Sequence, residues 1–316
     1  MAKLGHVLIT GGTGFVGVPL TANLIGHGWR VTVLVRDYAR ARQLLGAAPT
    51  LIRSLDEIQN SDQIDVMINL AGAGIADQRW THARKRILMD SRVQTTRGLV
   101  ALAQRLEARP ALLISASAIG FYGSSDERAL DESTAGDDEF THALCKRWEE
   151  EASKAEALNM RVCILRLGVV LGTGGGMLGR LMPIFKLGLG GRTGTGRQYL
   201  SWVHRDDVIR VIDWLIQSEV SGVFNVTAPE AVTNSRFSQQ LAESLNRPFL
   251  FQQPAIIVRL MFGEMGERLL LNGQNVVPKR LLGLGYQFGY PRLREALQAI
   301  INHNTKLDSR SKQSGN

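Results

Sequence analysis

Short apolar runs alternate with longer segments of helical spacing through the first half of the chain. The apolar runs are rich in β-branched residues and cover residues 6–9, 31–35, 65–70, 111–115 and 162–167. Apolar positions three and four residues apart mark the segments 18–25, 84–107 and 141–158. Runs that are apolar throughout are typical of strands buried on both faces, and the intervening helices provide that cover. The pattern therefore predicts an α/β fold built on a doubly wound parallel sheet.

A glycine-rich turn joins the first predicted strand to the first predicted helix, between Thr10 and Gly17. Glycines there let a pyrophosphate approach the backbone, and the N–H groups that open the helix face its charge. The alternative is an ordinary strand–helix turn, but the strand before it and the helix after it favour a dinucleotide site on a Rossmann-type sheet. The cofactor-binding residues predicted in this turn are Gly11, Thr13, Gly14, Phe15, Val16 and Gly17.

The sequence changes in character after Gly168. Glycine-rich loops follow at 172–176 and 188–196, and helical spacing returns at 235–245 and 292–301. Such loops suit the rim above a sheet, and the later helices indicate a second lobe. The predicted division is a dinucleotide-binding domain over 1–170 with a return near 200–228, a smaller C-terminal substrate lobe over 171–199 and 229–302, and a disordered polar tail over 303–316.

Composition and charge narrow the partners. Hydrophobic residues make up 44% of the 316, enough for a sizeable core, and no apolar run reaches the roughly 18 residues of a membrane span. The net charge is +8, but the basic residues are scattered, which predicts no nucleic-acid partner. Cys145 and Cys163 lack metal-ligand spacing, so we expect no metal and a reducing, cytoplasmic setting. With a strand beginning so early, no signal peptide is expected.

Several segments, taken in order, resemble the extended short-chain dehydrogenase/reductase superfamily. They are the glycine turn, Asn69-Leu70-Ala71-Gly72, Ser115-Ala116-Ser117-Ala118 with Tyr122-Gly123, Arg166 before Gly172, and residues 197–207. Other segments are similar to the bacterial "epimerase family protein" group within it: Arg79-Trp80-Thr81, Arg147-Trp148-Glu149-Glu150, and Val277 to Leu282 running on to Tyr290-Pro291. The resemblance covers nearly the whole chain and implies a nicotinamide dinucleotide cofactor.

The end of the second strand bears on which nicotinamide cofactor is used. NAD-type relatives carry an acid there, which binds the adenosine ribose and repels a 2′-phosphate. This chain has Val35 at that position, eighteen residues after Gly17, and Arg36 follows. A guanidinium suits a phosphate through paired hydrogen bonds, so we predict NADP(H) with Arg36 as a ligand. The alternative is that Arg36 ends a strand in solvent; Asp37 is predicted to cap the next helix.

The resemblance adds further residues to the predicted cofactor site. They are Leu70, Ala71, Gly72, Arg92, Ser115 and Lys146. Small residues after the fourth strand let the cofactor pack against backbone. Arg92 stands where relatives often have Asn on the helix, so it faces either the cofactor or a substrate anion; an exposed helical arginine is the alternative.

The catalytic pattern departs from that of the relatives. Members that transfer hydride use a Ser or Thr, a Tyr as acid/base, and a Lys four residues after the Tyr. Ser117 and Lys146 match, but the residue four before Lys146 is His142. Three explanations stay open. His142 is itself the acid/base, since imidazole titrates near neutral pH; Tyr122 supplies the proton; or the site binds cofactor without ordinary turnover.

Two functions of different class follow. The first is an NADP-dependent oxidoreductase or epimerase acting on a small, sugar-like or nucleotide-linked substrate. The second is a cofactor-binding regulatory or interaction protein with little turnover, which the resemblance links to division of cells or plastids. In relatives, the loop that covers the substrate corresponds to the one that here carries Arg197, Tyr199, Trp202 and His204. Asp206 and Asp207 are predicted to cap the following helix. The sequence leaves substrate identity and oligomeric state open.

Overall fold

The computed structural model describes residues 5–125 and 127–313, with side chains as far as residue 303. The strands are β1 (His6–Thr10), β2 (Arg30–Leu34), β3 (Thr50–Ile52), β4 (Val66–Asn69), β5 (Leu112–Ala118), β6 (Ala129–Leu130), β7 (Arg161–Leu167), β8 (Val169–Leu171), β9 (Gly191–Thr193), β10 (Tyr199–Leu200), β11 (Trp202–His204), β12 (Gly222–Val226), β13 (Val232–Thr233), β14 (Phe251–Gln253) and β15 (Asn275–Val276).

The helices surround these strands in chain order. They are α1 (Gly17–Gly26), α2 (Tyr38–Leu45), α3 (His82–Arg105), α4 (Phe140–Ser153), α5 (Gly176–Lys186), α6 (Arg205–Gln217), α7 (Asn234–Ser244), α8 (Ala255–Phe262), α9 (Glu264–Gly266), α10 (Lys279–Gly283) and α11 (Leu293–Gln313). Short 3₁₀ turns span Leu55–Glu57, Ile119–Tyr122 and Lys154–Leu158, and a π-helical turn spans Glu267–Leu271.

The main sheet has seven strands in the order β12-β7-β5-β4-β1-β2-β3. β1 pairs in parallel with β2 and β4, and β4 pairs in parallel with β5. The register sets Leu34, Thr10, Asn69 and Ser115 in one row at the carboxyl ends of four neighbouring strands. These strands are buried because helices cover them, which confirms the predicted α/β fold. In such sheets ligands bind beyond the carboxyl ends.

The chain divides into two compact units. The first comprises Met1–Phe121, Gly136–Arg166 and Ile209–Phe224. One of its cores packs the long helix α3 and the end of α4 against the sheet, with Leu99, Leu102, Met67, Leu113 and Ala152 all buried. α3 begins where the Thr81 hydroxyl accepts the N–H of Arg84 at 3.1 Å, a typical N-cap.

The second unit comprises Tyr122–Ala135, Leu167–Val208 and Asn225–Asn316. Small two-stranded sheets make up its β structure: β10 with β13, β11 with β8, β14 with β9, and β15 with β6. Its core includes the fully buried Trp202, Phe237 and Leu241, which pack with Leu171 and Leu297. Short strands and tight glycine turns build this unit, which explains why periodicity revealed little of it.

The structure differs from the sequence expectations at three places. β3 follows Pro49 and has only three residues, too few for a periodic signal. The second unit takes Tyr122–Ala135 from inside the predicted first domain, because β6 in that stretch pairs with the distant β15. α11 is assigned as far as Gln313, where a disordered tail was predicted from residue 303; residues 314–316 lie outside the described part. Helix formers such as Lys306 and Leu307 extend a helix already nucleated upstream.

Candidate active site

The glycine turn after β1 is held by close backbone approaches. Gly11 has φ +74°, and a Cβ there would lie 2.6 Å from the carbonyl of Leu70. A Cβ at Gly17 would overlap the carbonyl oxygen of Gly11, so α1 starts directly against the turn. The N–H of Gly14 donates to that same oxygen at 3.0 Å. Any side chain at positions 11 or 17 would therefore push the turn, the end of β4 and the start of α1 apart.

Asn69 ties the turn to the neighbouring strand end. Its Oδ1 accepts the Thr10 hydroxyl at 2.6 Å and the N–H of Ala71 at 3.3 Å. Its Nδ2 donates to the hydroxyl of Thr96 on α3 at 2.8 Å. Asn69 is fully buried, so the network fixes where Leu70, Ala71 and Gly72 leave the sheet.

These observations fit a bound dinucleotide pyrophosphate. The turn is cleared of side chains at the points where a phosphate approaches, and Gly14 is exposed. α1 carries no acidic residue in its first turn, so the positive end of its dipole faces no carboxylate from that turn. Gly11, Thr13, Gly14, Phe15, Val16 and Gly17 would hold the pyrophosphate, with Leu70, Ala71 and Gly72 beside them.

The end of β2 is basic. Val35 is buried at 4% exposure, and Arg36 after it is exposed. The guanidinium groups of Arg42 and Arg53 each lie 5.4 Å from the centre of the Tyr38 ring. Asp37 accepts the N–H of Arg40 at 3.0 Å and caps α2, as predicted. Because that carboxylate is engaged as a cap and no acid stands at position 35, this strand end suits a phosphate better than a bare ribose.

Arg92 is folded inward instead of being an exposed helical arginine. Its Nη2 donates to the carbonyl of Ala73 at 3.1 Å, and its Nη1 donates to the carbonyl of Leu88 at 3.0 Å. The guanidinium lies 5.1 Å from the centre of the Trp148 ring, and burial lowers the pKa of Arg92. Arg92 therefore holds the loop after β4 against α3.

Ser117 lies in a buried polar cluster. Its hydroxyl donates to Oε1 of Glu149 on α4 at 2.6 Å. Arg166 of β7 grips the same carboxylate with two bonds, Nε to Oε1 at 2.9 Å and Nη2 to Oε2 at 2.8 Å. The Arg166 guanidinium also stacks 3.3 Å from the centre of the Phe121 ring. With its proton committed to Glu149, Ser117 serves to anchor the strand end, and this geometry does not favour the catalytic role predicted for it.

Ser115 is likewise buried, one residue pair along the same strand. The Nδ2 of Asn69 donates to its hydroxyl at 3.4 Å, a long bond. Ser115 thus lies behind the strand ends that border the predicted cofactor site, and it supports Asn69.

His142 and Lys146 lie one helical turn apart on α4. The Nδ1 of His142 is 2.6 Å from the carbonyl oxygen of Phe121, and its ring packs on the Phe121 ring with centres 4.7 Å apart. A carbonyl only accepts, so Nδ1 carries the proton and Nε2 keeps a lone pair. Lys146 is exposed. The pair thus presents a fixed imidazole base and a charged amine on one helix face.

Tyr122 is buried at 3% exposure in the second unit. Its hydroxyl donates to Oδ1 of Asn225 at 2.7 Å, and Nδ2 of Asn225 donates to the carbonyl of Val277 at 3.0 Å. The phenol thus links three segments of that unit. This contact does not favour Tyr122 as the proton donor.

The substrate-side residues of the second unit are also largely structural. The indole of Trp202 is fully buried and donates to the carbonyl of Glu230 at 2.9 Å. His204 stacks on Tyr290 with ring centres 3.9 Å apart. The prediction that Asp207 caps α6 is wrong, because its carboxylate accepts the N–H groups of Gly289 and Tyr290 at 2.8 and 2.9 Å. Within the described residues, no cluster of three His, Cys, Asp or Glu is placed to hold a metal ion.

Residues 7–227 match the sequence model of the NAD dependent epimerase/dehydratase family. The chain belongs to this family. Residues 253–300 match a separate model, described as a domain of unknown function (DUF1731). Epimerase family protein Mb2239 of Mycobacterium bovis is 38% identical over 292 residues, which is 92% of this chain and 96% of the relative.

Two solved structures of epimerases place the fold. The human epimerase family protein SDR39U1, crystallised with NADPH, is 32% identical with a TM-score of 0.84, covering 93% of this chain and 98% of that one. The UDP-glucuronic acid 4-epimerase from Bacillus cereus, in complex with NAD, has a TM-score of 0.75 at 16% identity, covering 96% and 97%. At that low identity the second likeness shows the epimerase-type fold alone.

Sequence reasoning missed the pair formed by Glu149 and Arg166 in this epimerase-family chain. A signal was present, since Arg166 interrupts an otherwise apolar strand and a buried arginine requires an acid. Glu149 lies among the buried positions of α4, beside Trp148 and Cys145.

Proposed function

We propose that the chain is an NADP(H)-dependent oxidoreductase or epimerase acting on a small molecule. The observation that carries the proposal is the glycine cradle at the carboxyl ends of β1 and β4, with the exposed Arg36 at the end of β2. The cradle receives a pyrophosphate, and Arg36 receives the adenosine 2′-phosphate. The 32% identical human structure, which holds NADPH, supports this assignment.

The same proposal gives His142 the proton and Lys146 the nicotinamide ribose. The nicotinamide, when bound, exchanges a hydride with the substrate. Nε2 of His142 takes or returns the proton, because Nδ1 is held by the Phe121 carbonyl. Lys146, one turn further along α4, binds the ribose hydroxyls and keeps positive charge near the imidazole, which favours the neutral base. No other group is needed for the proton step.

A substrate screen tests this proposal. NADPH absorbance is followed with a panel of aldehydes, ketones and sugar compounds, and the stereochemistry of recovered compounds is determined in parallel. An epimerase returns its cofactor unchanged, so absorbance alone would miss it. We expect turnover of at least one compound, lost in Lys146→Ala and kept in the neighbouring exposed variant Arg147→Ala. NADPH binding without any oxidation or epimerisation would contradict the enzyme and indicate a cofactor-binding protein.

A further inference from the structure

A cavity of about 70 Å³ opens in the second unit. One wall is α5, which contributes Met177, Leu181, Ile184 and Phe185. The opposite wall includes Leu269 and Leu270 from the π-helical turn Glu267–Leu271. β9 and the start of α7 close the base. A concave site whose walls come mainly from apolar side chains is the usual form of a small-molecule pocket.

The polar groups of the cavity are neutral and hold its walls together. Oδ1 of Asn234 accepts the N–H of Thr193 at 2.8 Å. Nε2 of Gln198 donates to the carbonyls of Thr193 and Leu270 at 3.0 and 2.8 Å. Nδ2 of Asn272 donates to the hydroxyl of Ser124 at 2.9 Å. These amides are engaged with the protein, so the surfaces offered to a ligand are mostly hydrocarbon.

Charge separates the candidate ligands. Among the lining residues, all within the described part of the chain, none is Lys, Arg, Asp or Glu. A sugar nucleotide carries a charged diphosphate, and sites for such groups provide arginine, lysine or both. Moving an anion into an apolar cavity without a counter-charge is strongly unfavourable. An uncharged ligand with an alkyl or aryl body meets no such penalty.

Exposed apolar side chains extend the hydrocarbon surface in the same unit. β9 of the cavity pairs with β14, and a Cβ at Gly194 would lie 3.8 Å from the Cβ of Ala255, where α8 begins. On these segments Phe251 is 49% exposed, Ile256 61% and Leu260 70%. Ile184 and Leu270 of the cavity itself are 39% and 36% exposed. Contiguous exposed apolar surface marks a binding region more often than an ordinary surface.

We infer that this cavity binds the hydrocarbon body of an uncharged carbonyl compound or alcohol, and not a nucleotide-linked sugar. The inference rests on the proposed function, since this compound is the substrate that NADP(H) oxidises or reduces. It replaces the sugar-like or nucleotide-linked substrate expected from the sequence. The reacting carbonyl or hydroxyl is at the polar end of the ligand, and the alkyl or aryl body lies between α5 and the turn 267–271.

Calorimetric titration of the NADP⁺-loaded full chain tests the inference. The probes are 1-butanol, 1-hexanol and 1-octanol, with UDP-glucose as the charged comparison. We expect affinity to rise about fourfold for each methylene, since burying one contributes about 0.8 kcal/mol. We expect no binding of UDP-glucose at the same concentration. Tight binding of UDP-glucose with no dependence on alkyl length would overturn the inference.

Two partly exposed lining residues provide the variants. Leu270→Asn and Ile184→Asn each place an amide in the cavity wall and should weaken octanol binding at least fivefold. Leu282→Asn is the matched control, because this leucine is 45% exposed on α10 and does not line the cavity. Circular dichroism melts confirm that each variant is folded. Equal loss in the control and in both cavity variants would contradict the inference.

The outcomes keep the inference and the proposed function apart. NADPH titration of the same samples reports on the cofactor site in the first unit and is independent of the alkyl probes. Intact NADPH binding together with UDP-glucose binding defeats the substrate inference alone. Absence of NADPH binding defeats the proposed function, whatever the alcohols do.

Discussion

The hydroxyl of Ser117 donates a 2.6 Å hydrogen bond to the carboxylate of Glu149, which in turn holds the guanidinium of Arg166. This chain links β5, α4 and β7 through three buried polar side chains. The serine that sequence similarity marks for catalysis is therefore part of the frame, and α4, which carries His142 and Lys146, is fixed by it. The same helix thus has one face in this frame and another with the proposed catalytic groups.

Replacing Glu149 by Gln should destabilise the fold strongly. The change leaves the Arg166 guanidinium buried with no counter-charge, and breaking such a pair costs about 3–5 kcal/mol. Urea denaturation followed by circular dichroism measures the loss. Glu150→Gln on the next, exposed position of α4 is the control and should change stability by less than about 0.5 kcal/mol. Similar losses in both variants would show that the buried pair contributes little.

Gly17→Ala should disrupt the cofactor cradle. The added methyl meets the carbonyl oxygen of Gly11, so the turn must shift away from α1. We expect at least a tenfold loss of NADPH affinity by fluorescence titration, together with a lower melting temperature. Gly26→Ala, at the other end of the same helix, is the matched control, since no atom lies within 4 Å of its added Cβ. Unchanged NADPH binding in Gly17→Ala would place the cofactor elsewhere.

Lys146→Ala should impair both NADPH affinity and turnover, whereas His142→Ala should impair turnover alone. The lysine serves the ribose whichever group moves the proton, and the imidazole serves only the proton step. General acid–base groups contribute about 10²–10⁴-fold in rate, which is the loss expected for His142→Ala once a substrate is found. Steady-state kinetics and cofactor titration separate the two effects.

Tyr122→Phe is the companion variant for that experiment. It removes the hydroxyl that donates to Asn225 and should lower stability by about 1 kcal/mol while keeping the rate constant near that of the unmodified chain. An inactive Tyr122→Phe beside an active His142→Ala would move the acid/base role to the tyrosine. Full NADPH affinity in Lys146→Ala would contradict the placement of the nicotinamide end.

The thiol of Cys145 should be unreactive in the native protein. Burial, reinforced by the negative charge of Glu149, raises the pKa of this thiol to about 11, so little thiolate exists at neutral pH. Cys163 is also fully buried. Alkylation by iodoacetamide at pH 7.5, read by mass spectrometry, should leave both thiols free for hours and label both within minutes in denaturant. Fast labelling of Cys145 in the native chain would refute its burial.

Much of the first unit was predictable because its signals are local. The apolar runs around Val7, Val33 and Ile68 became strands, and Asp37 caps α2 as expected from its position before a helical segment. The glycine turn likewise lies at a carboxyl edge of the sheet. Each of these depends on a residue and its immediate neighbours.

The remainder depends on contacts between distant residues. Asp207 accepts from a segment more than eighty residues away, and Ser117 meets a glutamate on another element. A local rule assigned Asp207 to a helix cap, whereas the tertiary contact gave it a different task. The inward fold of Arg92 has the same origin, because the carbonyl of Ala73 comes from the loop after β4.

The most direct test of the account is a parallel titration of the full chain with NADPH and NADH. Arg36 at the end of β2 is proposed to hold the 2′-phosphate, a charged hydrogen bond worth about 1.5–3 kcal/mol. We therefore expect NADPH to bind roughly 10- to 100-fold more tightly than NADH. Arg36→Ala should remove that difference, whereas Arg109→Ala, exposed just ahead of β5 at the opposite edge of the sheet, should keep it. Equal affinity for the two cofactors, or an Arg36→Ala chain that still prefers NADPH, would contradict the account.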